Sequence, residues 1–419
     1  MTDAAPQLVS WNLTRVCNLA CGHCYLDAVQ RRREAADELS TDEALRVVRE
    51  IAATAPGAML VLTGGQPLLR KDLPLLVAAA AEQGLMPVIG SNGTLLTDGK
   101  ARVLRASGAV GVGISVDSAT PEFHDRLRGA DGAWFGAWAG VDAAREAGLA
   151  VQVQMTLFEE NCNDLEAVTD LAEANGALAL NLFFLVCTGR GVKQTDMPEP
   201  LYEATLRRIA ALQAQRPKLM IRARCAPYMR RIVGLHAGQS CGSYASWSSA
   251  CLAGRTYLRI TPQGEVTPCP YIPEAVGDLR RDALQDVWHR HPTLQRLRRD
   301  LPGGKCGACD RRYSCGGCRA RAAAVAGDVM AEDPKCGYRR PEEALPEPPP
   351  GEARGDAGVP WTPEAQALLE RIPTFVRERV RERVEAAAAH QSIVAISVEF
   401  MRAQRPDSVV LSSFRRPLP

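Results

Sequence analysis

The placement of cysteine constrains this 419-residue chain more than any other feature. It has 14 cysteines, and all but Cys162, Cys187 and Cys225 fall into short-spaced groups. The first group is Cys17-x3-Cys21-x2-Cys24. The second runs Cys251-x12-Gly264-x4-Cys269, then Cys306-x2-Cys309-x5-Cys315-x2-Cys318-x17-Cys336, with Cys241 ahead of it. A secreted protein would pair such thiols as disulfides, but residues 1–10 lack the basic and apolar regions of an export signal. The expectation is a cytoplasmic chain whose reduced, clustered thiols are metal ligands. No stretch reaches the roughly 18 apolar residues of a membrane helix, so no membrane partner is expected. A formal charge of +2, from 50 basic against 48 acidic residues, gives no electrostatic case for nucleic acid.

Around the first cysteine group the chain alternates short apolar runs with amphipathic stretches. Strand candidates are Leu8–Leu13, Ala58–Leu62, Met86–Ile89, Val110–Val116, Leu149–Thr156 and Ala179–Leu185. Helical patterns such as Thr41–Ala53, capped by Ser40, and Asp72–Gln83 lie between them. This rhythm predicts an α/β fold, a partial (β/α)6 TIM-like barrel, with chemistry at the C-terminal ends of its strands. Residues 1–198 are assigned to that barrel. Residues 199–340 form a cysteine-rich domain with few long apolar runs, where metal cross-links substitute for a hydrophobic core. The Pro-, Gly- and acid-rich residues 341–360 read as a linker. A small helical domain follows at 361–405, with Thr362 capping a helix from Pro363 and a stripe of Leu368, Leu369, Ile372, Phe375, Val376 and Val380. Residues 406–419 are a tail.

Cys17, Cys21 and Cys24 follow the first strand, so they sit on a loop at its C-terminal end. Three thiolates ligate three irons of a cubane and leave the fourth open to a further ligand. The alternative is a zinc site, with His23 as the fourth ligand. The triplet resembles the signature of the radical S-adenosylmethionine (SAM) superfamily. That resemblance implies a [4Fe–4S] cluster whose open iron is chelated by SAM, a reduced flavodoxin- or ferredoxin-type electron donor, and cleavage of SAM to a 5′-deoxyadenosyl radical. It sets His23 near the adenine, and Gly64-Gly65-Gln66-Pro67 at the methionyl amine, where the family usually has Glu in place of Gln66. It also sets Ser91 and Asn92, ending the third strand, and Ser115 and Asp117, ending the fourth, near the ribose and the methionine carboxylate.

The second cysteine group resembles the SPASM extension of these enzymes, which carries one or two auxiliary iron–sulfur clusters. The resemblance implies one cluster on Cys306, Cys309, Cys315 and Cys336, and another on Cys251, Cys269 and Cys318 with Cys241. The family more often has three residues between its last two clustered cysteines, where this chain has two. Two structural zincs in a ribbon are the plainer alternative.

For the substrate, Trp11-Asn12-Leu13-Thr14, Cys225-Ala226-Pro227-Tyr228, Cys251-Leu252-Ala253-Gly254 and Gly264-Glu265-Val266 resemble radical SAM enzymes of tetrapyrrole synthesis. These include the haem d1 enzyme and those of the siroheme-to-haem route, which remove carbons from acetate or propionate side chains. The segments Trp361–Ala365 and Ile372–Arg377 resemble the small C-terminal domain of a dark-operative protochlorophyllide reductase subunit. Arg371, Arg377, Arg379, Arg381 and Arg383 would there face propionates or, more commonly, solvent. The resulting expectation is a tetrapyrrole substrate, the alternatives being a ribosomally made peptide, another enzyme, or a non-catalytic iron–sulfur electron carrier. Only about seven residues precede the first strand, which leaves little room for a peptide-gripping domain there. Cys225 is the singleton assigned to catalysis, as a hydrogen donor or an iron ligand, against the reading of an inert buried thiol.

Overall fold

The strands of this protein alternate in character instead of being apolar throughout, and that alternation builds the molecule. The structure, a computed structural model, describes residues 5–30, 37–235, 250–347 and 359–404, apart from 371, 373–376, 378, 379, 382, 383, 386, 389, 390 and 392. Cys241, Arg371, Phe375, Val376, Arg379, Arg383 and residues 406–419 lie outside the described residues.

Six parallel strands form where the sequence predicts them: β1 (Leu8–Thr14), β2 (Met59–Gly64), β3 (Met86–Ser91), β4 (Gly111–Ser115), β5 (Ala150–Leu157) and β6 (Ala179–Phe184). The helices between them include α1 (Thr41–Thr54), α2 (Leu73–Glu82), α3 (Asp98–Ala106), α4 (Pro121–Arg128), α5 (Ala133–Glu146) and α6 (Leu165–Ala174). At the start of α1, Ser40 Oγ accepts the Glu43 N–H at 3.3 Å, and the Glu43 carboxylate accepts the Ser40 N–H at 2.8 Å. This reciprocal cap contributes about 1 kcal/mol and fixes where the helix begins.

The sheet does not stop at six strands. After α7 (Glu199–Gln215), β7 (Met220–Arg224) pairs in parallel with β6, and α8 (Met229–Leu235) follows it. At the other edge, β8 (Tyr257–Ile260) lies parallel to β1, and the antiparallel β9 (Glu265–Thr267) and β10 (Gly277–Asp278) extend it. The order is β10-β9-β8-β1-β2-β3-β4-β5-β6-β7. Arginines interrupt the apolar pattern of β7, and β8 spans only 4 residues, which is why periodicity alone passes over both.

One face of this sheet carries Val9, Trp11, Leu13, Leu60, Leu62, Ile89, Val112, Ile114, Val153, Met155, Leu180, Leu182, Ile221, Leu258 and Ile260, all buried in one hydrophobic core under the helices. That core also takes Leu284, Trp288, Leu294 and Leu297 from the cysteine-rich region. The opposite face follows from the strand register: Ser10 beside Arg259, Asn12 beside Thr63, Gly113 beside Gln152, Gln154 beside Asn181, and Asn181 beside Arg222. A parallel sheet buried on both sides would be apolar on both. Here the second face is polar, so it is not a second packing face of the core.

Residues 361–404 have a core of their own, with Ala365, Leu369, Val384, Ala388, Ile396 and Met401 buried together. Its first helix runs Pro363–Glu370, with the Thr362 hydroxyl accepting the Ala365 N–H at 3.3 Å. Arg377 is used locally: its Nε donates to the Ile372 carbonyl at 3.0 Å.

Candidate active site

Cys17, Cys21 and Cys24 lie on the loop that leaves β1, in one small cluster with Leu19, Ala28 and Ala133. Cys17 and Cys21 are buried, and burial pushes both thiols above their ordinary pKa. Donors are already turned on the sulfurs. The Leu19 N–H reaches Cys17 Sγ at 3.4 Å, and an Arg128 guanidinium nitrogen lies 3.7 Å from Cys21 Sγ. Buried sulfur acceptors beside a cation suit thiolate ligands, so the donor set fits the triplet's cluster. Among the described residues, no three His, Cys, Asp or Glu side chains converge closely enough to hold a single metal ion. A cubane differs from such an ion in offering separate irons to separate ligands.

Backbone from two other strand ends grips the loop. The Gly65 N–H donates to the Thr14 carbonyl at 2.7 Å, and the Gln66 N–H to that of Val16 at 2.8 Å. A Cβ on Gly64 would sit 2.5 Å from Thr14 O, and one on Gly65 2.3 Å from Val16 O. These two glycines therefore keep β2 against the cysteine loop of the chain itself. After β6, Arg190 donates to the carbonyls of Cys21 at 2.8 Å and Ala28 at 2.9 Å.

Gln66 is fully buried at the entrance of the short 3-10 turn Pro67–Leu69. Its Nε2 donates to Asn92 Oδ1 at 2.5 Å, and its Oε1 accepts the Ser91 hydroxyl at 3.0 Å. Asn92 Nδ2 donates in turn to Asn18 Oδ1 at 3.0 Å and lies 3.9 Å from Cys17 Sγ. Gln66, Ser91 and Asn92 thus form one network that ends on the first cysteine. Ser115 ends β4 on the polar sheet face, in register with Gln154.

Asp117 is fully buried and heavily engaged. One oxygen lies 2.5 Å from Arg128 and 3.6 Å from His23 Nε2; the other accepts the Thr156 N–H at 2.9 Å. Burial alone would raise this carboxyl, but the Arg128 guanidinium and the histidines hold it below its usual pKa. His23 is pushed down to about 4, mainly by burial, so its imidazole is neutral at neutral pH. Its ring stacks near Phe158 at 6.5 Å, and its Nδ1 is buried without a hydrogen bond. Arg128, in the last turn of α4, carries no motif that marks it in sequence. Its role comes from bridging Asp117 to Cys21.

The C-terminal cysteines fall into two adjoining sets. In one, Cys251 and Cys318 are hydrogen-bonded to each other, and Cys269 and Cys225 interact electrostatically with Cys318. In the other, Cys315 and Cys336 feel each other and Cys306, and Cys309 feels Cys336. The amide two residues onward donates to a cysteine repeatedly: Ala253 to Cys251, Tyr271 to Cys269, Arg311 to Cys309, Gly317 to Cys315 and Tyr338 to Cys336. That recurring turn supplies the N–H···S contacts that thiolate ligands of iron–sulfur clusters use. Between the sets lies the buried pair Arg321–Asp333 at 3.1 Å. Asp333 accepts the Cys318 N–H at 2.7 Å, and its own N–H points at Cys306 Sγ at 3.3 Å.

The two cysteine regions face each other. Tyr25, next after Cys24, meets Tyr271 edge-on at 5.3 Å, and Tyr271 is two residues past Cys269. The Tyr25 hydroxyl accepts from Asn12 Nδ2 at 2.9 Å, and Arg259 Nε donates to Asn12 Oδ1 at 2.6 Å.

Comparison with known proteins agrees with this architecture. Residues 11–172 match the radical SAM superfamily, 251–318 the SPASM iron–sulfur cluster-binding domain, and 361–405 the proto-chlorophyllide reductase 57 kD subunit. The chain is 35% identical over 348 residues to an AdoMet-dependent heme synthase of Methanosarcina barkeri, covering 81% of this chain and 98% of that one. It is 32% identical over 353 residues to a pre-heme d1 synthase of Dinoroseobacter shibae, covering 78% and 85%. Its fold resembles that of Streptococcus suis SuiB bound to S-adenosylmethionine, with a TM-score of 0.63 at 16% identity, covering 80% and 78%. No helix among the described residues is long and apolar enough to cross a membrane. The chain belongs to the radical SAM superfamily, in the SPASM-bearing family that holds the AdoMet-dependent heme synthases.

Proposed function

We propose that this enzyme modifies a carboxylate side chain of a haem-type tetrapyrrole, using the N-terminal triplet for its SAM-cleaving [4Fe–4S] cluster and the C-terminal cysteines for auxiliary clusters. With SAM and an electron from a reduced flavodoxin- or ferredoxin-type donor, such a cluster supplies a 5′-deoxyadenosyl radical that abstracts hydrogen. The chain's own contribution is the polar face of the sheet. Arg222 and Arg224 lie on it at the β7 edge and Arg259 lies on it on β8, with Gln152, Gln154 and Asn181 on the strands between. Widely spaced guanidinium groups on a polar floor match a flat ligand with carboxylates around its rim. That arrangement is the observation that carries the reading, together with the 35% identity to a heme synthase.

His23 and Asn92 are proposed to border bound SAM, and Ser115 to face it. Gln66, its Oε1 accepting from the Ser91 hydroxyl, would support the methionyl end of SAM through that network. Asp117 would act through Arg128, holding the cluster loop in place.

The test is anaerobic. Reconstituted protein is incubated with SAM, a reductant and one candidate at a time, and 5′-deoxyadenosine and candidate mass are followed. An iron-coproporphyrin that raises deoxyadenosine and loses carboxyl-bearing carbons supports the proposal. Deoxyadenosine formation that ignores every tetrapyrrole but rises with a peptide sinks it.

A further inference from the structure

We propose that Cys225 is the fourth thiolate of the auxiliary set formed by Cys251, Cys269 and Cys318. This inference rests on the reading that the C-terminal cysteines hold iron–sulfur clusters. The resemblance adds Cys241 to that set, whereas the folded chain points to Cys225.

The first observation is backbone strain. Among the described residues other than glycine, only Asp27 and Cys225 have positive φ, and Cys225 stands at 59°. A side chain in the left-handed region costs about 1–2 kcal/mol, and such strain gathers at functional positions. Cys225 follows β7 directly, so a left-handed turn there redirects the thiol at the sheet edge.

Second, the strained position is held from the cluster side. The Cys225 carbonyl accepts from Arg321 at 3.1 Å and from the Tyr202 hydroxyl at 3.0 Å. Arg321 is only 3% exposed and spends its other nitrogen on Asp333 and on the Tyr228 hydroxyl at 3.0 Å. Asp333 takes the backbone N–H of Cys318. One buried cation and one carboxylate therefore tie the backbone of Cys225 to that of Cys318, across more than 90 residues of chain. Burying such a pair is expensive, and its retention makes sense where it fixes a geometry.

Third, the thiol is buried within electrostatic reach of the set. The Cys225 sulfur interacts with those of Cys318 and Cys269, and with Tyr271 beside Cys269. Burial pushes the metal-free thiol well above its ordinary pKa. A hydrogen donor would need no partner thiols; a ligand needs these three.

The experiment reads iron and spectra, not turnover. In a background of Cys17→Ala, Cys21→Ala and Cys24→Ala, only auxiliary iron remains. Into it go Cys225→Gly, which keeps the left-handed backbone without strain, and Cys241→Ala. Iron and sulfide content and the electron paramagnetic resonance of the reduced protein are compared. The expected result is that Cys225→Gly loses about four irons per chain, or keeps them with shifted g-values that respond to added thiol, while Cys241→Ala leaves both readouts unchanged. Unchanged iron and g-values in Cys225→Gly overturn the assignment, and all the more if Cys241→Ala alters them. Absence of all iron in the triple-alanine background overturns the auxiliary-cluster reading itself and the assignment with it.

Discussion

The N-terminal and C-terminal cysteine regions solve opposite problems. At the N-terminus three thiols sit on a loop at a strand end, next to the polar face of the sheet, and a single guanidinium, Arg128, ties the loop to buried Asp117. At the C-terminus two cysteine sets are packed against the main core, and the Arg321–Asp333 pair is sealed between them. An incomplete thiol set beside a ligand face leaves room for substrate chemistry. Sets that satisfy themselves inside protein suit storage and movement of electrons. The same device, a buried arginine–aspartate pair, fixes the geometry of both.

The largest effect expected from breaking this contrast is at the triplet. Cys21→Ser should lower deoxyadenosine formation below about a hundredth of wild type, while the auxiliary resonance signals persist. Retained SAM cleavage would show that the triplet is not the reactive site. Next come the two arginines. Arg128→Met and Arg321→Met should each cost about 3–5 kcal/mol, because each leaves a buried carboxylate without its cation. They should differ in what they disturb: spectra of the N-terminal cluster in the first, of both auxiliary clusters in the second. A common spectral change in both variants would erase the distinction.

A third prediction concerns pH. His124 is buried and pushed down to about 4 by that burial and by Arg128, with Asp117, Asp125 and His23 around it. Its Nδ1 accepts the Asp117 N–H at 3.2 Å, so the folded state needs the imidazole neutral. In the unfolded chain it titrates near 6.5. Unfolded protein thus binds more protons between these values; the contribution is complete above about pH 6.5 and lost as pH falls towards 4. The loss is on the order of 3 kcal/mol, read as unfolding free energy against pH. His23, depressed to the same value, adds a like slope, so His124→Gln should remove about half of it; an unchanged slope would assign it elsewhere.

Gln66→Glu sharpens the comparison on a finer scale. In this network a carboxylate would replace the N–H that Asn92 Oδ1 accepts, at a cost of about 1–3 kcal/mol. Asn92→Asp beside it should worsen the loss, and a stabilised Gln66→Glu would mean that Asn92 turns over. The smallest effect is expected from removing residues 359–419. Their core is separate, so deoxyadenosine formation without substrate should stay within about twofold; a larger fall would tie that domain to the N-terminal site.

Sequence reading served well where information is local. Six strands were legible because each apolar run meets the helices, and Ser40 announced α1. The clustering of the triplet was legible because its three thiols are neighbours in the chain. What escaped was assembled across long separations. Arg128 and Asp117 meet only after α4 folds back, and Arg190 reaches the cysteine loop from beyond β6. The polar sheet face emerges only once register aligns Asn12, Gln154 and Arg259. β7 was hidden by the arginines that interrupt its apolar pattern.

The pairing of β8 with β1 has a mechanical consequence. The strand that ends at the triplet and the strand that leads into the second cysteine region are stitched by one hydrogen-bonded ladder, as two rails are fixed by their sleepers. A hinge between the two regions has nowhere to bend. An electron passing between clusters held there would cross a gap set once, at folding. The time of such a crossing should be indifferent to solvent viscosity.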